Sequence, residues 1–184
     1  MGDPRRLRKK YSTPIHPWQK ARIEDEKVII GEYGLKNKKE IWKIASKVKE
    51  FRIQAKNLIA STTAQGEKEK VQLLAKLNRI GLLSERANLD DVLGLETRDL
   101  MERRLQTFVY RKGLAKSIKQ ARQFIIHQHV IVGNKKITVP SYIVNRGEED
   151  TINFVSTSQL VDPEHPEREQ KEKKKKPKKK ARRR

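Results

Sequence analysis

Residues 117–139 read SIKQARQFIIHQHVIVGNKKITV, and the first part of this stretch has the pattern of a capped α-helix. Ser117 and Gln120 have the spacing of a capping box, in which the serine hydroxyl accepts a hydrogen bond from the amide of Gln120 and the Gln120 side chain reaches back. A helix is therefore predicted to begin at Ile118, with apolar residues on its inner face. Its outer face carries four polar or basic side chains: Lys119, Arg122, Gln123 and His127.

The second part of the stretch predicts a β-hairpin. Two β-branched runs, 130–132 and 135–139, flank the dipeptide Gly133-Asn134. Glycine at the first central position permits the positive φ that a two-residue hairpin turn requires. A further short strand is predicted at 151–155. The turn would present three polar side chains at its tip: Asn134, Lys135 and Lys136.

A second helix is predicted just before this stretch. Thr97 can cap a helix that runs to about Lys112, and Gly113 would end it. Its inward stripe is formed by three apolar residues: Met101, Leu105 and Phe108. Arg104 and Arg111 are seven residues apart, so their side chains would point within about 20° of each other. The two arginines could then grip one stretch of a polyanion backbone.

Residues 38–97 predict a bundle of short helices. Apolar residues recur at alternating spacings of three and four, which indicates a first helix over about 38–60. Gly81 would end a second helix, and Asn88 can cap a third at 89–94. The polar side of the first helix carries five basic side chains: Lys43, Lys47, Lys49, Arg52 and Lys56. Such a run is usually a solvated face, but the charge of the whole chain favours contact of some of it with phosphate.

The two ends of the chain lack the patterns of a folded domain. Residues 1–37 contain three prolines, three glycines and a basic cluster, which predict an extended basic arm. Its Tyr11, His16 and Trp18 could either stack on a partner or cover a neighbouring apolar surface. Residues 161–184 end in a Lys/Arg-rich run with little to bury, which predicts a disordered tail. Such a tail could bind a nucleic acid directly or act as a nuclear-type signal.

The charge of the chain indicates a polyanionic partner. The 184 residues include 44 Lys and Arg against 23 Asp and Glu, which gives a net charge of +21. Residues 171–184 carry +10 of this charge, so the other 170 residues are also basic, at +11. A charge of this size repels itself in the free protein and is best tolerated beside a nucleic acid.

Composition also excludes several classes of protein. The chain has no cysteine, which rules out disulfides, cysteine-based zinc sites and thiolate nucleophiles. Hydrophobic residues make up 35% and aromatic residues 5%, enough for one or two small cores but not for a large enzyme core around a deep pocket. No apolar run approaches the roughly 18 residues of a membrane span, and no signal-peptide pattern is present. A cytoplasmic protein without a cofactor and without membrane contact is expected.

The stretch from Arg103 to Phe154 resembles a known RNA-binding module. It reads RRLQTFVYRKGLAKSIKQARQFIIHQHVIVGNKKITVPSYIVNRGEEDTINF and is similar to the module named after small-ribosomal-subunit protein four, which also occurs in some pseudouridine synthases and tyrosyl-tRNA synthetases. Two flanking segments, GDPRRLRKKYSTPIHPW near the start and YGLKNKKEIW at 33–42, resemble the archaeal and eukaryotic form of that ribosomal protein itself. The resemblance covers about residues 2–160.

The resemblance implies a mainly α fold with a small α+β module over 98–160, in which two helices and a hairpin bind RNA. It implies a structural constituent of the small ribosomal subunit, without enzymatic activity, that binds ribosomal RNA, nucleates assembly of the subunit body and contributes to translational accuracy. Further implied partners are ribosomal protein five and messenger RNA near the path by which it enters. The RNA-binding residues carried over from the family are Arg103, Arg104, Arg111, Lys112, Lys116, Ser117, Lys119, Gln120, Arg122, Gln123, His127, Asn134, Lys135 and Lys136.

Two departures from the family pattern are visible. The hairpin tip is Gly133-Asn134, whereas the family usually has Asn-Gly, and this difference changes how the Asn134 side chain is aimed. The cysteine cluster that binds metal in some bacterial members is absent, so no metal site is carried over.

Other functions fit the sequence less well. His127 and His129 could suggest a metal pair, but a spacing of two at a helix end sends the rings to different sides. The acidic pair Asp90-Asp91 is explained by helix capping rather than by catalysis. An RNA-binding accessory part of an RNA-modification factor would use the same module, but it predicts a second, catalytic domain. A basic DNA-compacting protein would bind duplex DNA as well as folded RNA.

Overall fold

The computed structural model describes residues 9–162 and 165–167, and these residues are mainly helical. The helices in this part of the chain are α1 (Lys20–Tyr33), α2 (Lys38–Ala60), α3 (Ala64–Ile80), α4 (Leu89–Gly94), α5 (Thr97–Glu102), α6 (Leu105–Arg111) and α7 (Ile118–Ile126). Three strands, β1 (Val130–Val132), β2 (Lys135–Lys136) and β3 (Ile152–Phe154), form an antiparallel sheet. The predicted mainly α fold with a small sheet is confirmed. None of these helices is both long and apolar enough to cross a membrane.

The first hydrophobic core is built by α2 and the helices that pack on it. Helix α2 begins and ends where the sequence predicts, and Ile44 and Val48 of its apolar stripe are buried. They join Leu77 of α3, Val92 of α4 and Leu100 of α5 in one hydrophobic cluster. Helix α4 also has its predicted bounds. The prediction of α2 rests on apolar spacing that tertiary packing supports, whereas the prediction of α4 rests on the Asn88 cap.

Helix α1 contradicts part of the predicted extended arm over residues 1–37. The prediction is wrong for Lys20–Tyr33, which form a helix of 14 residues. Residues 9–19 contain neither helix nor strand before Lys20, and residues 1–8 lie outside the described part of the chain. Pro17 precedes the helix, so no proline interrupts its hydrogen bonds.

A buried carboxylate joins α1 to α2. Glu26 Oε1 accepts a hydrogen bond from Trp42 Nε1 at 2.9 Å, and Glu26 Oε2 lies 3.1 Å from Lys38 Nζ. Burial raises the pKa of Glu26, but hydrogen bonds from Trp42, Lys38 and Arg22 lower it below its ordinary value. Tyr33, Ile29 and Ile30 of α1 also pack in or against the first core, whereas Val28 is exposed. Tertiary pairing, which the local sequence pattern does not show, therefore fixes this helix.

The single helix predicted over 97–112 is wrong, because the structure has two helices with a break between them. Arg104 has extended backbone, with φ −78° and ψ 142°, and forms a β-bridge with Ile143. The amide of Leu105 donates to the carbonyl oxygen of Tyr142 at 2.8 Å. These bonds to the segment after the hairpin replace helical ones, so the chain leaves the helix between α5 and α6.

The sheet has the strand order β2-β1-β3. The predicted hairpin is confirmed: Val132 pairs with Lys135 across the turn, and Gly133 has a φ of +58°. Strand β2 is shorter than the predicted run 135–139, whereas β3 confirms the predicted third strand. The sheet packs on α6 and α7 in a second core, which includes Leu105, Val109, Phe124, Ile125, Val130, Val132 and Ile152.

The predicted disordered tail over 161–184 lies almost wholly outside the described residues. Only 161–162 and 165–167 of it are described. Residues 165–167 run beside the start of α7, where Lys116 Nζ donates a hydrogen bond to the carbonyl oxygen of Pro166 at 2.5 Å.

Candidate RNA interface

The start of α7 has most of the predicted capping arrangement. The Ser117 hydroxyl accepts a hydrogen bond from the amide of Gln120 at 3.2 Å, and the helix begins at Ile118 as predicted. The Gln120 side chain reaches back one residue further than predicted, since its Oε1 accepts from the amide of Lys116 at 2.7 Å. The cap holds Lys116 and Gln120 at the positive end of the helix dipole, a position that favours anions.

Most of the predicted RNA-binding residues lie on the surface of the module. The exposed ones are Arg111, Lys112, Lys116, Ser117, Lys119, Gln123, His127, Asn134, Lys135 and Lys136. Gln120 and Arg122 are half-buried. Within the described part of the chain, none of the five lysines in this set forms a salt bridge. Their charges are therefore available to a polyanion.

Arg104 is not a surface residue, and its predicted alignment with Arg111 is wrong. Its side chain is only 2% exposed and pairs with Glu40 of α2, which also lies 3.0 Å from Arg122. Burial raises the pKa of Glu40, but hydrogen bonds from Arg122 and Arg104 lower it below its ordinary value. The break before α6 places Arg104 between the two cores, whereas Arg111 remains outside. Arg104 therefore joins the bundle to the module.

Arg103 is also committed to contacts within the protein. Its Nη2 lies 2.5 Å from Glu149 Oε1 and donates to the carbonyl oxygen of Val144 at 3.2 Å. The guanidinium stands 4.8 Å from the ring centroid of Phe108. Arg111 is more open, with a side chain 53% exposed that lies 2.9 Å from Glu102. Of these two arginines, Arg111 is the one that RNA could reach without breaking a buried contact.

The carboxyl end of α7 and the hairpin share one groove. Gln123, His127 and Lys136 all line a groove of about 750 Å³ that continues to the segment after β3. The structure thus brings together predicted residues from the helix and from the hairpin. The groove also contains Gln128 and His129, which the sequence did not assign to RNA binding.

The bundle adds two lysines beside α7. Lys43 and Lys47, one helical turn apart on α2, line a cavity of about 250 Å³ together with Arg122 and Glu40. Both lysines are exposed. They belong to the polar face of α2 that the sequence shows, but their position beside the module depends on tertiary structure. Basic side chains of the bundle and of the module therefore lie together at this cavity.

Comparison with known proteins identifies the family of this chain. Residues 103–150 match the family model described as the S4 domain. The chain is 56% identical over 169 residues to small ribosomal subunit protein uS4 of Methanococcus aeolicus, an alignment that covers 91% of this chain and 96% of the relative. It is 53% identical to the protein of the same name from Methanococcus maripaludis, with 91% and 95% covered, and 51% identical to that from Methanococcus vannielii, with the same coverage. The chain therefore belongs to the uS4 family of small ribosomal subunit proteins.

Proposed function

We propose that this chain is a structural constituent of the small ribosomal subunit that binds the subunit's ribosomal RNA and catalyses no reaction. The name of its relatives, small ribosomal subunit protein, supports the first part. The domain that matches residues 103–150 supports the second. One observation carries the proposal: five lysines of the predicted set are exposed on this module, and the described residues offer none of them a salt bridge.

The proposed mechanism is recognition of RNA shape by charge. Lys116 and Lys119 lie at the start of α7, where helix amides and the dipole also favour phosphate. Lys135 and Lys136 stand at the hairpin tip on the far side of the groove. Two separated groups of cations can contact two phosphate strands of a folded RNA, whereas base contacts add selectivity.

The proposed surface differs from the one that the sequence alone predicts. It omits Arg104, which is buried, and gives Arg103 a structural role. It adds Lys43 and Lys47 of α2, because these lysines share a cavity with Arg122. The other predicted residues stay in the proposal.

Finer parts of the proposal rest on the family resemblance. These parts are nucleation of the assembly of the subunit body, a contribution to translational accuracy, contact with ribosomal protein five and contact with messenger RNA near its entry path. All of them require the protein to be part of the small subunit. Sedimentation of a cell extract tests this premise, since the protein should travel one-to-one with the small subunit.

A binding titration tests the proposed surface. Labelled small-subunit ribosomal RNA is titrated with the full chain at several salt concentrations, with duplex DNA as competitor. Removing one lysine that binds a phosphate lowers the slope of log K against log salt by roughly 0.7–0.9. The double variant Lys119→Ala, Lys135→Ala should therefore lower the slope by about 1.5 and weaken binding. Its matched control is Lys27→Ala, Lys68→Ala, which removes two exposed lysines of α1 and α3.

The control variant should bind as the wild type does. Equal slopes for the two double variants would remove α7 and the hairpin tip from the interface. Equal competition by duplex DNA and by ribosomal RNA would favour a general nucleic-acid-compacting protein instead. No binding by the wild type at low salt would overturn the proposed function altogether.

A further inference from the structure

The groove between the carboxyl end of α7 and the segment after β3 is lined mainly by neutral polar side chains. Its lining includes three carboxamides and three imidazoles: Gln123, Gln128, Gln159, His127, His129 and His165. One lysine, Lys136, and one carboxylate, Glu167, also line it. The opposite charges nearly balance, so this groove differs from the lysine-rich surfaces beside it. Its chemistry suits a neutral, planar, hydrogen-bonding group better than a bare phosphate.

His129 is held in a fixed orientation within this groove. Its Nδ1 lies 2.9 Å from the Ser158 hydroxyl, and its ring meets Phe124 edge to face, at a centroid distance of 6.2 Å and an angle of 85°. Within residues 9–162 and 165–167, Nε2 of this ring has no hydrogen-bond partner. The His127 ring lies 6.5 Å from the His129 ring, centroid to centroid, so the two imidazoles stand together in the groove. A ring that packing holds in one orientation is prepared to contact a ligand.

Gln128 has a backbone that glutamine rarely adopts. Its φ is +63°, and it is the sole non-glycine residue with positive φ in the described part of the chain. Glycine or asparagine usually occupies this position after a helix, because other side chains cost about 1–2 kcal/mol there. Strain of this kind persists where the surrounding structure fixes the backbone, and such positions cluster at binding sites. The Gln128 side chain lines the groove, next to the fixed ring of His129.

We propose that this groove binds an unpaired base of an RNA molecule, an inference that rests on the proposed function. Proteins recognise unpaired RNA bases by stacking them on flat rings and by hydrogen bonds to their edges. Imidazoles supply the rings, and carboxamides supply both a donor and an acceptor. The volume of about 750 Å³ is ample for one nucleoside, and Lys136 at the rim can hold the adjoining phosphate.

The substitution Gln128→Gly separates a ligand-binding role from a structural one. Glycine relieves the backbone strain, so the variant should unfold at a higher urea concentration than the wild type. Loss of the carboxamide should at the same time raise the Kd for a transcript of Methanococcus aeolicus small-subunit ribosomal RNA about tenfold. The slope of log K against log salt should not change, since no charge is removed. Higher stability with weaker binding is the expected combination.

A second groove variant and a control complete the experiment. Gln159→Ala, on the opposite wall, should also raise the Kd about tenfold without a change of slope. Gln54→Ala changes an exposed glutamine of α2 outside the groove and should bind normally.

Unchanged affinity of both groove variants would overturn the base-binding proposal while leaving the proposed function intact. A reduced salt slope for either groove variant would show that the carboxamides contact phosphate rather than a base, and it would also overturn the proposal. Absence of wild-type binding would instead remove the proposed function, and this inference with it.

Discussion

Substitution of Glu40 by glutamine tests how the two cores of this protein are held together. Glu40 lies on α2 of the bundle, and its carboxylate pairs with both Arg104 and Arg122 of the module. The side chain of Arg104 is 2% exposed, that of Glu40 is 18% exposed and that of Arg122 is 22% exposed. Glu40→Gln keeps the size of the side chain but leaves the Arg104 guanidinium buried without a counter-charge.

The cost follows from the burial of the two arginines. Removal of one partner from a buried ion pair costs about 3–5 kcal/mol, because the remaining charge stays desolvated. Arg122 contributes less, since it can turn toward water, where an ion pair contributes less than about 1 kcal/mol. We therefore expect Glu40→Gln to lower the free energy of unfolding by about 3–5 kcal/mol, nearly all of it through Arg104. At this chain length, the thermal midpoint should fall by about 6–20 °C.

Urea denaturation followed by circular dichroism measures this decrease in stability. The matched control is Glu32→Gln, because Glu32 is 47% exposed and lies 3.7 Å from Arg98, so its removal should cost less than about 1 kcal/mol. The double variant Glu40→Gln, Arg104→Met also removes the unpaired charge of the Arg104 guanidinium and should recover part of the stability. If Glu40→Gln were no more destabilising than the control, the pair would not be the link between the cores.

Low pH should weaken the same ion pair in the wild type. The pKa of Glu40 lies below its ordinary value of 4.5 in the folded protein. A carboxylate with a lowered pKa contributes stability above its unfolded pKa and loses this contribution as the pH falls through the folded one. The stability difference between the wild type and Glu40→Gln should therefore be full near neutral pH and shrink below about pH 4.5. A difference that stays constant down to about pH 3 would contradict the role of the charge.

Three further changes test other parts of the structure. Gly34→Ala should destabilise by about 2 kcal/mol in urea, because φ is +56° and a Cβ would lie 2.9 Å from Ile118 Cγ2; Gly94→Ala, which meets nothing within 4 Å, should not destabilise. Glu167→Gln removes a carboxylate that lies against the start of α7, so the Kd for ribosomal RNA in the titration should fall about twofold to fivefold at low salt. Trp18 is 90% exposed, so Trp18→Ala should leave the urea midpoint unchanged, and a weaker Kd would show that its ring contacts RNA.

Local signals in the sequence predict the parts of the fold that local interactions specify. The Ser117 cap, the glycine at 133 and the β-branched runs around it each act within a few residues, and the structure confirms them. The start of α5 differs by one residue. The sequence predicts Thr97 as its cap, but Glu96 occupies that position, and its amide donates to Asp99 Oδ2 at 2.7 Å. Several polar residues in a row can each cap a helix, so sequence alone places such a boundary to within about one or two residues.

Contacts between distant segments account for the features that the sequence did not show. Helix α1 packs on the first core through Tyr33, and Glu26 joins it to partners on α2 that lie 12 and 16 residues away. The break before α6 depends on Ile143, 39 residues further along the chain. A periodic pattern alone cannot reveal either, because the competing hydrogen bonds come from elsewhere. The same break places Arg104 in the interior rather than on the surface.

The arginines and the lysines of the predicted interface make different contacts in the structure. Its four arginines, Arg103, Arg104, Arg111 and Arg122, each pair with a glutamate, whereas its five lysines form no salt bridge within the described residues. A guanidinium is weakly hydrated and offers a rigid fork of donors, which suits a partly buried pair. An ammonium is strongly hydrated and remains at the surface on a flexible stem. Charge alone therefore indicates a polyanionic partner, whereas the acidic partners in the structure decide which basic side chains are left unpaired. For this reason Arg104→Lys would keep the charge and still loosen the junction between the cores, whereas Lys135→Arg would change little.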